Sequence, residues 1–208
     1  YAQMWRFLIE TFGEAGAYKP EIPLFIEYKP SETRGRCFVD TAAKALCLLN
    51  DIGIKEMGIT MDYGHSKYGQ ENPAEAVALL AKSRFPYYIH INDNNGRWDW
   101  DLMVASHNFL EYVEFIYYVQ EYGYSDFLTS DTSPTRWDIR GTFEANARMT
   151  RKIWDRLQTS ASNTMTTISR MRTICTTCRW SGVSSRLKIL ALAVSLLAKL
   201  SRPTWAAS

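Results

Sequence analysis

The chain has 208 residues, 46% of them hydrophobic, and a formal net charge of +2. This apolar fraction is enough to bury a core and is typical of a globular protein. The near-neutral charge favours neither a nucleic acid nor a membrane as a partner, so we expect neither.

The charge is distributed unevenly along the chain. Residues 157–208 contain seven of the 24 basic residues and none of the 22 acidic residues, so residues 1–156 carry a net charge of −5. A tail without any acidic side chain is a different kind of sequence from the part that precedes it. We interpret residues 158–208 as an atypical basic tail, out-of-frame or disordered, behind a domain over residues 1–157.

The four cysteines do not suggest a disulfide framework. Cys37 and Cys47 lie in the domain, and Cys175 and Cys178 form a CTTC pair in the tail. A zinc site needs four ligands, and the sequence has no second pair beside this one, so we interpret the CTTC pair as inert. Because no signal peptide precedes the cysteines, we expect a reducing, cytoplasmic location.

Residues 1–157 consist of alternating predicted helices and apolar strands. In chain order these are a helix over 3–13, a strand over 22–29, a helix over 38–53, a strand over 56–62, a helix over 72–83, a strand over 86–92, a helix over 107–123, a strand over 126–131 and a helix over 138–157. Gly53 and Gly123 end two of the helices, and Asn72 followed by Pro73 begins a third. The strands are almost continuously apolar, which is typical of strands buried on both faces.

This alternation predicts parallel βα units and therefore an α/β protein. Four such units are half of an eightfold (β/α)8 TIM barrel. A doubly wound open sheet is the structural alternative, but no strand is followed by its phosphate-binding glycine loop. We therefore predict a half-barrel over residues 1–157.

Each predicted strand ends in a side chain that can bind a metal. These residues are Glu27, Asp62, His90 and Asp131. A barrel brings the carboxyl ends of its strands together around one axis, so four residues that are remote in sequence are expected to converge. Three carboxylates and one imidazole suit a divalent ion such as Mg²⁺ or Mn²⁺.

A second group of candidate ligands lies just beyond the first. His65 follows Asp62 by three residues, and the stretch WDWD supplies Asp99 and Asp101. With Asp62 as a bridge, these four residues predict a second metal site, and two ions would clamp adjacent oxygens of a substrate. A lone Asp at a strand end is more often a helix cap or a turn residue.

The polar run that follows the third strand has such a local explanation. Asp93, Asn94 and Asn95 come directly after the apolar stretch PYYIHIN. Asn and Asp side chains commonly bond to nearby backbone groups in turns. We therefore interpret these three residues as turn residues and leave them out of the predicted site.

Several of these residues occur in motifs that resemble the xylose isomerase-like TIM-barrel superfamily, and specifically its aldose–ketose isomerases. The stretch IEYKPSETRG resembles the strand that carries a metal-binding Glu and, two residues on, a catalytic Lys, here Glu27 and Lys29. The stretch MDYGH is similar to the segment with a bridging carboxylate and a His three residues later, here Asp62 and His65.

RWDWD resembles the paired aspartates that bind the second metal in xylose isomerase, here Asp99 and Asp101. Two positions depart from xylose isomerase, which has Glu in place of Asp62 and Asp in place of His90. Both residues instead resemble L-rhamnose isomerase and the ketose 3-epimerases. The likeness spans residues 1–157 and implies that only the last four βα units of a (β/α)8 barrel are present.

The resemblance implies a metal-dependent aldose–ketose isomerase of carbohydrate metabolism, an intramolecular oxidoreductase. It moves a hydride between C1 and C2 of an open-chain sugar such as xylose or rhamnose. It implies two divalent ions (Mn²⁺, Mg²⁺ or Co²⁺), a small-molecule sugar as substrate, and a dimeric or tetrameric full-length form. Lys29 would bond to the C1 oxygen, and His65, Asp99 and Asp101 would act at the second ion. A ketose 3-epimerase on the same fold and an inactive fragment stay open as alternatives.

Overall fold

The computed structural model describes the backbone of residues 1–174 and the side chains of residues 1–159. Its elements are α1 (Ala2–Tyr18), β1 (Phe25–Glu27), β2 (Ser31–Glu32), β3 (Gly35–Arg36), α2 (Ala42–Ile52), β4 (Gly58–Asp62), α3 (Tyr63–Tyr68), α4 (Pro73–Ala81), β5 (Tyr87–Ile91), α5 (Phe109–Glu121), β6 (Leu128–Ser130) and α6 (Ile139–Ile174). Two compact units are present, Tyr1–Met149 and Thr150–Ser208, and all elements from α1 to β6 belong to the first. The CTTC pair lies outside the described residues.

Strands β1, β4, β5 and β6 form one sheet in that order, and every neighbouring pair is parallel. This confirms the predicted mixed α/β class with a parallel sheet. Strand β4 is buried along its whole length, because β1 and β5 pair with its two edges and side chains cover both faces. Such a strand has no solvent-facing side, so Thr60 and Asp62 are buried together with the apolar residues of the strand.

The predicted end of one helix and the predicted start of another agree with the structure, whereas α2 begins at Ala42 and not at residue 38 as predicted. Helix α2 begins after Thr41, whose side chain accepts a backbone hydrogen bond from the first turn, and ends before Gly53, which has a φ of 78°. A left-handed φ of this size favours glycine, which has no Cβ. Helix α4 begins after Asn72, whose side chain accepts a hydrogen bond from the N–H of Ala74 at 2.8 Å.

The sequence does not predict two short elements, the hairpin β2–β3 and the six-residue helix α3. Six residues are too few for a helical periodicity to be visible. Helix α3 begins directly after β4 because the Asp62 side chain accepts a hydrogen bond from the N–H of His65 at 2.8 Å and so caps the helix. One predicted metal ligand therefore also serves as a helix cap.

Helix α6 continues past its predicted end at residue 157 and reaches Ile174. The sequence between Gly141 and Gly182 contains neither glycine nor proline, so it has no strong helix-breaking residue. No helix within the described residues, α6 included, combines the length and the apolar character needed to cross a membrane.

The core of the first unit is formed by the sheet and by helices α2 and α4, with α5 packed against α4. Its largest fully buried aliphatic and aromatic side chains include Leu48, Leu49, Ile59, Met61, Leu80, Phe115 and Ile116. Close packing of this kind holds strands at fixed positions relative to one another. The polar residues at the strand ends are consequently presented by a rigid support.

Candidate functional site

Three carboxylates and one imidazole meet at the carboxyl edge of the parallel sheet. They come from Glu27 at the end of β1, Asp62 at the end of β4, His90 in β5 and Asp131 directly after β6. Each offers one ligand atom, and these four atoms all lie within 4.8 Å of one another. Carboxyl ends of parallel strands share one edge, which is why residues remote in sequence meet there. These four residues, the strand-end group, can hold a metal ion.

His90 faces all three carboxylates of the strand-end group. Its Nδ1 lies 3.2 Å from Asp131 Oδ2, 3.4 Å from Glu27 Oε1 and 3.9 Å from Asp62 Oδ2. None of these contacts has the geometry of a hydrogen bond, so this buried nitrogen has no hydrogen-bond partner. Burial lowers the pKa of His90, but the neighbouring carboxylates outweigh burial and raise the pKa to about 10. The group therefore has an excess of negative charge.

Asp62 is the most deeply buried member of the strand-end group, with 0% of its surface exposed. Its Oδ1 accepts a hydrogen bond from the N–H of His65 at 2.8 Å, and its Oδ2 accepts one from Asn92 Nδ2 at 2.9 Å. Burial raises the pKa of Asp62 to about 7, although His65 and Asn92 act in the opposite direction. A buried carboxylate in this position gains stability from a nearby cation.

The donor set of the strand-end group fits a divalent cation. A buried ring nitrogen without a hydrogen-bond partner is directed at three carboxylates. A cation bound here would accept a lone pair from this nitrogen and would balance the negative charge of the carboxylates. Carboxylate oxygens with one imidazole nitrogen are ligands that Mn²⁺, Co²⁺ and Mg²⁺ accept. Which ion binds, and how many ions bind, stays a prediction.

Beside the strand-end group, Asp99 joins Lys29 and His65. Asp99 Oδ2 lies 2.8 Å from Lys29 Nζ and 3.2 Å from His65 Nε2. Burial raises the pKa of Asp99, but the contacts with His65 and Lys29 outweigh burial and lower the pKa to about 2. Burial lowers the pKa of His65, but Asp99, Asp62 and Glu27 together raise it to about 9. The Lys29 amine is thus held by Asp99, whose side chain is 10% exposed, and by Glu32 at 3.2 Å.

Asp101 lies in the same loop, two residues after Asp99. Its backbone φ is 47°, which is in the left-handed region that Asp tolerates better than most residues. One of its carboxylate oxygens accepts a hydrogen bond from Ser133 Oγ at 3.0 Å. Burial and the nearby charge of Asp99 raise the pKa of Asp101 to about 6.

The structure brings the predicted second metal set (Asp62, His65, Asp99 and Asp101) together only in part. His65 contacts Asp99 through Nε2, but its Nδ1 lies 3.0 Å from the carbonyl oxygen of Tyr28 and 4.0 Å from Asp62 Oδ1. Within the residues that the structure describes, no second group of three or more such side chains meets the distance limit of the strand-end group. The second ion stays a prediction.

A cavity of about 520 Å³ opens between these two clusters and a more apolar wall. Its polar lining includes Glu27, Lys29, His65, Asp99, Asp101 and Asp131. Its apolar lining includes Leu8 and Phe12 of α1 and, from the segment before α2, Phe38 and Val39. The cavity is large enough for a small organic molecule and places it against both clusters.

Three consecutive polar residues after β5 have a larger structural role than the turn formation that the sequence predicts. Asn92, Asp93 and Asn94 are each 0% exposed. Asn92 donates to Asp62, and Asp93 accepts a hydrogen bond from the N–H of His107 at 2.7 Å, just before α5. The only signal in the sequence is the polar run NDNN after an apolar strand, where turn formation and buried hydrogen bonding have the same appearance.

Comparison with known proteins finds partial similarities. No family model matches the chain. It is 31% identical over 97 residues to an uncharacterized protein of Methanocaldococcus jannaschii, which covers 46% of this chain and 32% of that protein. It is also similar to the crystal structure of a D-tagatose 3-epimerase-like protein, with a TM-score of 0.61 and 25% identity over 74% of this chain. The chain spans 55% of that solved chain.

The fold, the site and the comparison together define this chain as an α/β protein with a candidate ligand-binding edge. The chain is a mixed α/β protein with a parallel sheet, a candidate metal centre at the carboxyl edge of that sheet, and structural similarity to a D-tagatose 3-epimerase-like protein. In open and closed α/β folds alike, this edge of the sheet is where ligands bind.

Proposed function

We propose that this chain is part of a metal-dependent aldose–ketose isomerase built on the xylose isomerase-like TIM barrel. Residues 1–157 supply the last four βα units, and residues 158–208 are the atypical basic tail. Four adjacent parallel strands in chain order are what a segment of such a barrel requires, and the similar solved structure supports the same assignment. The dimeric or tetrameric full-length form and the cytoplasmic location stay predictions.

One observation carries the choice of reaction. Lys29 is ion-paired with Asp99 at 2.8 Å, and both line the same cavity as Glu27 and Asp131. A lysine held beside a candidate metal centre provides a fixed positive charge for a substrate oxygen that becomes negative during the reaction. Isomerisation of an aldose develops such a charge on the C1 oxygen.

Each residue then has a defined part in the reaction on a small-molecule sugar. The strand-end group would hold one ion, and His65, Asp99 and Asp101, together with Asp62, would hold a second. When bound, the ions act as Lewis acids that polarise the sugar carbonyl and position adjacent oxygens. Lys29 donates a hydrogen bond to the C1 oxygen, and Asp99 and Asp101 accept the proton of the reacting hydroxyl.

A ketose 3-epimerase is the second candidate function, because the similar solved structure is a D-tagatose 3-epimerase-like protein. That reaction uses two carboxylates on opposite sides of the substrate to remove and return a proton at one carbon. Here the two carboxylates would be Glu27 and Asp131, and Asp131 is one methylene shorter than a glutamate. Lys29 and the pair Asp99 and Asp101 would have no role in epimerisation, so the isomerase is favoured.

The proposal is tested by metal titration and by sugar turnover. We expect the 208-residue chain to bind Mn²⁺ and the full-length form to convert xylose or rhamnose to the ketose with Mn²⁺, Co²⁺ or Mg²⁺. Turnover that is unchanged after exhaustive chelation would contradict the proposed mechanism. Metal binding without turnover of any aldose or ketose by the full-length form would identify the chain as part of an inactive protein.

The second metal site is tested by Asp99→Asn and His65→Asn. We expect each variant to keep Mn²⁺ binding at the strand-end group but to lose most turnover, by about 100-fold or more, because positioned charge at the reacting oxygens is lost. Calorimetric titration of both variants and the parent protein measures the stoichiometry. A stoichiometry of one ion per intact protein would mean that the two-ion assignment is wrong.

A further inference from the structure

We infer that Asn92 is a positioning residue that sets the orientation of the Asp62 carboxylate for metal binding; this inference rests on the proposed metal centre. Asn92 lies two residues after His90 and is fully buried. Its Nδ2 donates a hydrogen bond to Asp62 Oδ2 at 2.9 Å, and its Oδ1 accepts one from the N–H of Gly64 at 2.7 Å. The sequence assigns Asn92 no role.

The Asp62 carboxylate is held from both sides. Oδ2 accepts from Asn92, and Oδ1 accepts from the N–H of His65 at 2.8 Å. With one donor on each oxygen, rotation of the carboxylate breaks a buried hydrogen bond, which is costly. In this orientation Oδ2 lies 3.9 Å from His90 Nδ1 and Oδ1 lies 4.0 Å from His65 Nδ1. Asp62 thus presents one oxygen towards each histidine.

The partners of Asn92 require an amide at this position. The N–H of Gly64 can only donate, and the Asp62 carboxylate, when ionised, can only accept. One side chain must therefore offer an acceptor and a donor side by side. Leucine has the same size but offers neither, and aspartate would direct an oxygen at an oxygen.

Gly64 shows how closely Asn92 packs against the start of α3. A Cβ added at Gly64 would lie 2.5 Å from Asn92 Oδ1 and 3.0 Å from Asn94 Nδ2. A side chain at position 64 therefore requires a shift of Asn92 relative to the start of α3, while Asp62 keeps its own side chain. Gly64→Ala is consequently an independent perturbation of the same contact.

The experiment is a titration of the full 208-residue chain with Mn²⁺. Loss of a residue that orients a metal ligand typically weakens metal binding about 10–100-fold, so we expect Asn92→Ala to raise the Kd for Mn²⁺ by that factor. We expect Gly64→Ala to raise it in the same direction, and the double variant to show less than the product of the two effects because both act on one contact. Asn50→Ala is the matched control, since Asn50 is exposed on α2 and its side chain contacts only Leu46 and Arg84 among the hydrogen bonds of the described residues.

Two further readouts separate orientation of Asp62 from a general loss of stability. Thermal unfolding of the metal-free variants reports stability alone, and the visible absorption spectrum of bound Co²⁺ reports ligand geometry. We expect the Co²⁺ spectrum to change in Asn92→Ala and to remain unchanged in Asn50→Ala. A folded Asn92→Ala with the parent Kd and spectrum overturns the inference. If Asn92→Ala does not fold, an unchanged Kd in Gly64→Ala overturns it instead.

Different titration results would contradict the inference about Asn92 and the proposed metal centre. If the parent chain binds no Mn²⁺, the metal centre is wrong, and the inference about Asn92 falls with it. If the parent chain binds Mn²⁺ and both variants bind equally well, the inference alone is wrong.

Discussion

Glu27→Gln and Asp131→Asn are each expected to raise the Kd for Mn²⁺ more than about 100-fold and to abolish sugar turnover by the full-length form. Loss of a residue that only orients a ligand costs about 10–100-fold in affinity, and loss of a charged ligand costs more. Both side chains are partly exposed, at 34% and 49%, so the substitutions leave the core intact. Titration of each folded variant with Mn²⁺ measures the effect.

Matched controls lie at the other ends of the same two strands. The control variants are Glu21→Gln and Asp126→Asn. Glu21 lies before β1, Asp126 lies before β6, and both residues are exposed. Each control makes the same chemical change as its partner without touching the strand-end group. We expect the parent affinity and turnover in both controls. Parent affinity in Glu27→Gln or Asp131→Asn would remove that residue from the metal centre.

Turnover of xylose or rhamnose in D₂O is expected to place little or no deuterium on the carbons of the product. In the proposed reaction, Glu27 and Asp131 are metal ligands, and a carboxylate bound to a cation is a poor base. Asp99 is likewise too weak a base to take a proton from carbon, because its contacts with Lys29 and His65 lower its pKa to about 2. Hydrogen therefore passes directly between C1 and C2 without exchange with solvent.

Mass spectrometry and NMR of the product measure the incorporated deuterium at each carbon. An unreacted sugar kept in D₂O with chelated protein serves as the control for background exchange. Near-stoichiometric deuterium at C3 of a ketose substrate would identify the protein as a 3-epimerase. Deuterium at C1 or C2 would instead indicate an isomerase that works by proton transfer, and the roles of Asp99 and Asp101 would then be wrong.

The Asn92→Ala experiment tests the same site by changing the orientation of a ligand instead of removing a ligand. Substitution of Glu27 or Asp131 removes a ligand, whereas substitution of Asn92 leaves all four ligands of the strand-end group in place. The two experiments therefore distinguish the presence of the ligands from their orientation. A protein that loses affinity in both cases depends on a preformed site rather than on carboxylates that rearrange around the ion.

Sequence alone was sufficient to predict the elements that have a strong local signal. The apolar runs, Gly53 after α2 and Asn72 before α4 act through the hydrophobic pattern and local backbone hydrogen bonds, and the parallel sheet follows from their alternation. The strand-end group also followed from position, because residues at the carboxyl ends of parallel strands must share one edge.

Contacts between side chains from different loops were decided only by the tertiary structure. Asp62 caps α3 and is held by Asn92, and Asp99 pairs with Lys29 across 70 residues of sequence. The same polar residues occur in ordinary turns. The local sequence therefore does not distinguish a buried Asn that orients a carboxylate from an Asn that is exposed to solvent. Burial gives these contacts their energy, and burial depends on how the whole chain packs.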